Sequence, residues 1–330
     1  MPDILVTGGA GFIGSHLVEE LASQGYQVTC LDNFSTGQHN NIAHLPDVEV
    51  IEGDANTADV WRQLSTRTFA AVFHYAATVG IQHTEENPLA VLADAAGLRH
   101  VAVFARAGHA KRVIFASSSE VYGDPQQLPE KETDGYSGRT PYTTVKMYGE
   151  HLCASLWQEA RVPTVILRFF NVYGPNQRGN AYGFVAAQFI EQALRGQSVT
   201  IHGDGQQARD FVYISDNVAA AIAALTSPRA HGQVINVGTG RETSIEQLAY
   251  AVIAAANSDS QLTHTKARAR DIRRRCADTT RLQELLGTSC ATELVDGLPA
   301  TIAWYRQNQT KTPFTATATA PVAVPTTTAV

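Results

Sequence analysis

Tyr142 and Lys146 lie four residues apart in Y-T-T-V-K, a spacing that puts a phenol and an ammonium one turn apart on the same face of a helix. A lysine held there lowers the phenol pKa by its charge, making a usable general base of a group that otherwise ionises at about 10. The same pair on an exposed helix would be chemically idle, so its neighbours matter. Upstream, A-S-S-S-E-V-Y-G over residues 116–123 directly follows the apolar run 112–116. If that run is a strand, its serine hydroxyls emerge at the carboxyl end. A third candidate is T-G-G-A-G-F-I-G over residues 7–14, between the apolar run 4–6 and a helix-like segment carrying Leu17, Val18 and Leu21 on one face. Gly8, Gly11 and Gly14 there allow a tight turn, a close approach of backbone to a pyrophosphate, and close helix–strand packing. The acid ending the next strand-like run, Asp32, is placed for an adenosine ribose and repels the extra phosphate of NADP, so the cofactor expected is NAD.

The elements that must position these groups alternate. Strand-like runs at 4–6, 27–31, 48–51, 70–75, 112–116 and 164–169 are separated by helical segments at 57–64, 88–106 and 142–159. Uniformly apolar strands alternating with helices predict an α/β fold, a doubly wound parallel sheet covered on both faces, with ligands at its carboxyl edge. From about 171 the pattern loosens into Gly-, Asn-, Gln- and Arg-rich loops (174–183 and 202–210), as expected of a smaller α/β domain that covers a ligand. The boundaries expected are 1–170 for the dinucleotide domain, 171–312 for the second, and a flexible tail at 313–330. The apolar run 234–237 is expected to return to the large sheet, and 243–256 and 293–306 to form amphipathic surface helices.

The chain has 330 residues, enough for a substantial core, and its net charge of −6 argues against nucleic acid or an anionic membrane as a bulk partner. No apolar run reaches about 18 residues, so a cytoplasmic protein without a membrane span is expected. Cys30, Cys153, Cys276 and Cys290 are scattered without metal-ligand spacing, which predicts reduced thiols and no metal.

With T-G-G-A-G-F-I-G, Asp32, Gly53-Asp54, H-Y-A-A (74–77), S-S-S-E-V-Y-G, Y-T-T-V-K, R-F-F-N-V-Y-G-P and R-D-F-V-Y-I-S-D in this order, the chain resembles the extended short-chain dehydrogenase/reductase superfamily. Within it, the resemblance is to the nucleotide-sugar epimerases, dehydratases and decarboxylases typified by UDP-glucose 4-epimerase, from about residue 3 to 308. The resemblance implies NAD at Gly8, Gly11, Phe12, Ile13 and Gly14, with Asp32 and Asn33 at the adenosine ribose, Asp54 and Ala55 near the adenine, and Ala76 and Ala77 lining the site. It implies Tyr142 as the base on the sugar 4-hydroxyl, Lys146 on the nicotinamide ribose, and Ser118 sharing a hydrogen bond with the 4-oxygen. Asn171, Arg209 and Arg268 resemble the residues that hold the substrate diphosphate, a task suited to the planar guanidinium fork. The family usually has Pro-Gly before Asp271 where this chain has Ala269-Arg270, so the basic run 268–275 is expected to be partly surface. The helices at 88–106 and 142–159 resemble those that pair across a two-fold axis, implying a homodimer.

The reaction favoured by the resemblance is NAD-dependent 4-epimerisation of a UDP-hexose or UDP-hexuronate through a transient 4-keto sugar. Glu120 leaves a second reading open, a hexuronate decarboxylase or 4,6-dehydratase in which it is an additional acid/base. Arg139 also matches decarboxylases, whereas Thr140-Pro141-Tyr142 is the commoner epimerase form, and Ser119 stands where glucose dehydratases carry aspartate. A non-catalytic NAD-sensing protein is a third reading, in which the tyrosine or lysine would be expected to be lost. One departure stands out: between Asn87 and Gly97 the family usually has an asparagine, and this chain is one residue short there, with Asp94 or Ala95 in its place.

Overall fold

The apolar runs become seven strands with every pairing parallel: β1 (Asp3–Thr7), β2 (Gln27–Asp32), β3 (Glu49–Glu52), β4 (Ala71–His74), β5 (Val113–Ser118), β6 (Thr164–Phe169) and, much later, β11 (Gln233–Val237). The structure, a computed structural model, describes residues 2–80, 84, 86–178, 184–268 and 271–308. The expected tail 313–330, and parts of the loops 78–85 and 174–183, lie outside these residues.

The sheet order is β11-β6-β5-β4-β1-β2-β3. The chain therefore winds outward from β1 in one direction, returns at β4 and winds outward in the other. The β1/β4 border is thus the switch point, where the connections diverge and leave a crevice. Successive residues face opposite layers. Ile4, Val6, Phe73, Ile114, Val165 and Leu167 pack with helices α1 (Phe12–Ser23) and α7 (Ile214–Thr226) on one face. Leu5, Leu31, Val72, Phe115 and Ile166 pack with α2 (Ala58–Leu64), α4 (Ala95–Arg106) and α5 (Pro141–Ala160) on the other. Each fully buried Leu, Ile or Phe contributes about 1.5–3 kcal/mol relative to exposure, which is why these strands carry no polar alternation.

The helix expected over 88–106 is divided. Helix α3 (Pro88–Ala93) stops at Asp94 and α4 resumes at Ala95, with the Asp94 amide bonding back to Val91 over a tightened turn at 3.2 Å. This stretch also corrects the hydropathy expectation, because residues 88–106 are long and apolar enough to match a membrane span, with a mean hydropathy of 1.4. Here its apolar side (Val91, Leu98, Val101 and Phe104) is in the core against the sheet.

The later half supplies two bodies of structure. Helix α7, β11 and α9 (Thr280–Leu286) join the large sheet. A separate apolar cluster is built from α6 (Val185–Leu194), β8 (Val199–His202), α8 (Ile245–Ala255) and α10 (Leu294–Asn308). Three short pairs complete them: β7 (Asn171–Tyr173) with β10 (Phe211–Tyr213), which has residues in both clusters, β9 (Ala208–Arg209) with β12 (Thr243–Ser244), and β8 with β13 (Leu262–Thr265) inside the second. Helices α8 and α10, expected on the surface, bury Leu248, Val252, Leu298 and Ile302 against this cluster.

Candidate active site

A single cleft of ≈ 2240 Å³ runs along the carboxyl edge of the sheet and under the second body. That exceeds the roughly 300–1,000 Å³ of a site for one drug-sized ligand and leaves room for two. The residues expected at the cofactor, the reacting centre and the diphosphate all line it: Gly8, Gly11, Phe12, Ile13, Gly14, Asp32, Asn33, Asp54, Ala55, Ala76, Ala77, Ser118, Glu120, Tyr142, Lys146, Asn171, Arg209 and Arg268.

At one end, the turn after β1 is made by glycines for three different reasons. Gly8 has φ +72° and lies against Ala76 at the end of β4, where a Cβ would be 2.6 Å from the Ala76 nitrogen. A Cβ on Gly14 would be 2.0 Å from the Gly8 carbonyl oxygen, so the helix can approach the strand only without it. Gly11 is different, since a Cβ there would meet only the Gly8 oxygen at 3.2 Å and otherwise project into open space. That open face is a cradle that a methyl group would fill, at the end of α1, whose first N–H groups lack intrahelical partners and favour an anion. Asp32 accepts from the Ala10 N–H at 2.9 Å and the Phe34 N–H at 2.8 Å, holding the turn while each carboxylate oxygen keeps a lone pair. Burial raises its pKa, and these two amides oppose the rise. The residues present fit a dinucleotide.

At the centre, Thr140 caps α5 in a reciprocal capping box with Thr143, and Pro141 takes the first helical position, fixing the helix start next to Tyr142. One turn on, Lys146 is only 4% exposed. Its Nζ donates to the Ala116 carbonyl at 2.7 Å and lies 5.4 Å from the Tyr142 ring centroid. Ser118, at the end of β5, accepts from the Glu120 N–H at 3.2 Å and hydrogen-bonds the Tyr142 phenol. The phenol pKa is not lowered as the tyrosine–lysine spacing predicts. Burial pushes it up and the Glu120 and Asp94 charges add to the rise, with only the Ser118 hydrogen bond opposing. Lys146 is pulled down to about 8 by burial, against Asp94, Glu120 and Glu150. Here, desolvation outweighs the pairwise charge effect that sequence spacing suggests.

Beneath this centre is a polar network that the sequence reading missed. Arg168 on β6 makes a bidentate pair with Glu150, one turn beyond Lys146, at 2.9 and 2.7 Å. Glu150 also accepts from Ser117 and from the Tyr136 hydroxyl. The signal available was the continuation of Tyr142, Lys146, Glu150 along one helical face.

At the far end, Arg209 donates to Asp271 at 2.7 Å, and burial lowers its pKa. Asn171 opens β7, and its N–H bonds the Asp210 carbonyl at 3.0 Å. The basic run divides. Arg273 and Arg274 are outside, paired with Asp204 and Glu242, Arg268 and Arg275 line the cleft, and Arg270 lies outside the described residues. Arg275 donates to the Gly123 carbonyl at 2.6 Å and faces Glu130 at 3.6 Å. Burial raises the Glu120 pKa against Arg275, Arg209 and Lys146. Arg178, also overlooked in the sequence, lines the cleft with a buried Nε that has no hydrogen-bond partner among the described residues. Arg139 is exposed at the rim. Among the described residues no cluster could hold a metal ion, and the four cysteines are buried and unpaired.

Residues 4–238 match the family model described as the NAD dependent epimerase/dehydratase family. A UDP-N-acetyl-alpha-D-glucosaminuronate decarboxylase of Bacillus cytotoxicus is 34% identical over 92% of this chain and 97% of its own. A UDP-glucose 4-epimerase of Thermotoga maritima, solved with UDP-glucose, superposes with a TM-score of 0.88 at 32% identity, over 93% of this chain and 99% of its own. A UDP-glucuronic acid 4-epimerase of Bacillus cereus, solved with UDP-glucuronic acid and NAD, gives 0.84 at 30%, over 92% of this chain and 99% of its own.

Proposed function

Because the chain is an enzyme of the NAD-dependent epimerase/dehydratase family and its cofactor is NAD, we propose that it is a nucleotide-sugar 4-epimerase acting on a UDP-hexose or UDP-hexuronate. The observation that carries this reading is the meeting of Tyr142, Ser118 and Lys146 in the same cleft as the glycine turn. Gly8, Gly11 and Gly14 receive the pyrophosphate, Asp32 and Asn33 the adenosine ribose, Asp54 and Ala55 the adenine, and Ala76 and Ala77 complete the wall. NAD bound there would supply a reversible hydride acceptor for sugar C4, the chemistry by which that centre can be inverted. Tyr142 takes the proton of the 4-hydroxyl, Ser118 holds the 4-oxygen by a hydrogen bond, and Lys146 places its charge beside the phenol. Asn171, Arg209 and Arg268 hold the diphosphate, with the guanidinium forks matching its oxygens.

Hexuronate decarboxylation is the second reading, favoured by Glu120 being inside the cleft with the Arg275 and Arg209 charges facing it. Incubation with UDP-glucose, UDP-galactose, UDP-glucuronate and GDP-mannose, with separation of products, distinguishes the two. Interconverted 4-epimers support the first, and carbon dioxide with a pentose product overturns it. Unchanged substrates despite bound NAD would favour the NAD-sensing alternative, against which stand the intact Tyr142 and Lys146.

We assign the protein to the cytoplasm, where four unpaired thiols are stable. We also assign it a homodimeric state, paired through α3, α4 and α5, where Leu92, Val103 and Tyr148 are exposed. Light scattering on the eluting protein checks the dimer, and a monomer at micromolar concentration removes it.

A further inference from the structure

Among the described residues five arginines line the cleft: Arg139, Arg178, Arg209, Arg268 and Arg275. Two are engaged within the protein. Arg209 donates to Asp271 at 2.7 Å and to the Ala208 carbonyl at 2.8 Å, and Arg275 donates to the Gly123 carbonyl at 2.6 Å. Arg139 and Arg268 are exposed, where water serves their N–H groups. Arg178 is different. It is partly buried and makes no hydrogen bond or ion pair among the described residues, and its Nε is shut off from solvent. A charged N–H withdrawn from water without an acceptor costs stability, and a site that keeps one has a use for it. A guanidinium edge that includes Nε matches two phosphate oxygens side by side, so a bound phosphate would supply the acceptor.

The loop that carries Arg178 follows β7 and is pinned at each of the three residues before it. The Pro175 carbonyl accepts from His16 Nε2 at 3.0 Å. Asn176, at φ +65° in the left-handed region that asparagine tolerates, donates its side-chain amide to Ser15 Oγ at 3.1 Å. Gln177 donates Nε2 to the Val172 carbonyl at 2.8 Å, and its own carbonyl accepts from the Tyr305 hydroxyl. Ser15 and His16 belong to α1, which follows the glycine turn, and Tyr305 to α10 of the second body. The loop thus bridges the two bodies, and it presents Arg178 on the cleft wall at their junction. The Arg178 charge and that of Glu191 on α6 both act on the Tyr305 phenol, which puts the guanidinium on the second-body side.

We infer that Arg178 is a further binding residue for the substrate diphosphate, an uncommitted guanidinium that the pinned loop holds out to the nucleotide sugar. This rests on the reading of the cleft as a nucleotide-sugar site. NAD carries a diphosphate too, and the Asn176–Ser15 bond brings the loop to the cofactor helix, so the chemistry alone would suit either ligand. The substrate is the one assigned because Arg178 stands beside Tyr305 of the second body, whereas the glycine turn meets the NAD pyrophosphate with its own backbone N–H groups.

Calorimetric titrations of the NAD-loaded protein with UDP and with UMP, beside NAD titrations of the stripped protein, separate the two sources. Arg178→Gln is expected to weaken UDP about 10- to 100-fold, the range of a charge-assisted hydrogen bond, and UMP by less because one phosphate is missing. NAD affinity stays within about twofold, and Arg178→Lys, which keeps the charge without the fork, recovers part of the loss. Because the substitution removes an unpaired buried N–H, the ligand-free Arg178→Gln protein melts no lower than the parent. Unchanged UDP affinity in both variants overturns the inference, as does a loss confined to NAD. A variant that melts lower yet binds UDP as before makes Arg178 a counter-charge of Glu191 and overturns it as well. If the parent protein binds no UDP, the nucleotide-sugar reading falls and takes this inference with it; if the parent binds UDP and the variants bind it equally, that reading stands and only the role of Arg178 is lost.

Discussion

Gly14→Ala and Gly11→Ala are expected to weaken NAD binding for different reasons, and the difference is measurable. A Cβ at residue 14 falls 2.0 Å from the Gly8 oxygen and 2.9 Å from both the Gly8 carbonyl carbon and the Gly9 Cα. Comfortable contact needs about 3.5 Å, so the turn or the helix must yield by roughly 1.5 Å. The obstructing atoms are backbone and cannot rotate aside, so the overpacking cost is about 1–3 kcal/mol or more. The clash lies within the protein and is present with or without NAD, so the cost is read first as a lower melting temperature of the cofactor-free protein, and NAD affinity falls by at most about 150-fold, the case in which binding must restore the whole relaxed turn. At residue 11 the added methyl meets one atom at 3.2 Å, and φ is −74°, so the cofactor-free fold is kept within about 1 kcal/mol. The methyl nevertheless fills the cradle expected to take the pyrophosphate. Thermal melts of cofactor-stripped protein, with calorimetric NAD titrations, test both arms. A Gly14→Ala protein with unchanged melting and affinity refutes the steric reasoning. Equal destabilisation by Gly11→Ala refutes the division of roles between the two glycines.

Tyr142→Phe is expected to lose about 10²- to 10⁴-fold in turnover, the usual contribution of a positioned general base, while retaining NAD by mass spectrometry; loss of the cofactor instead would make the phenol structural. Glu150→Gln strands the Arg168 guanidinium, which is 2% exposed, and is expected to cost about 3–5 kcal/mol in urea unfolding; a cost below about 1 kcal/mol would show that the pair is solvated. His74 is held down to about 3, so the unfolded chain takes up its proton first as pH falls through about 6.5, and stability is lost with acidification. The linkage amounts to about 2 kcal/mol between pH 6.5 and 5, and His74→Gln should shrink the loss measured over that interval. Glu120→Gln should leave 4-epimerisation within about tenfold but abolish carbon dioxide release if decarboxylation is the reaction.

The parts of the fold legible in the sequence were those whose signal is local. Strand β6 begins and ends where its apolar run does, and α5 starts one residue before Tyr142 because Thr140 and Pro141 mark its first turn. The order of motifs carried the family and the cofactor. What escaped was set by distant neighbours. The run 268–275 reads as one basic stretch, yet Arg273 and Arg274 turn outward to Asp204 and Glu242 while Arg275 turns into the cleft to the Gly123 carbonyl. The sequence marked Asp94–Ala95 as a departure but not as a helix break, since no proline or glycine stands there, and the Asp94 side chain finds its partners far along the chain at residues 56 and 78.

By itself, the sequence determined the periodicities, the glycine turn and the Tyr142–Lys146 spacing, and with them a doubly wound parallel sheet that binds NAD. Short-range sterics and helix geometry leave few other arrangements for those residues. The tertiary structure alone decided how the reacting groups are tuned. The Tyr142 phenol is raised rather than lowered, and the Glu150 carboxylate is held by Arg168. Burial and charge pairing depend on which chain segments meet, and that is settled only when the sheet and its covering helices close around the cleft.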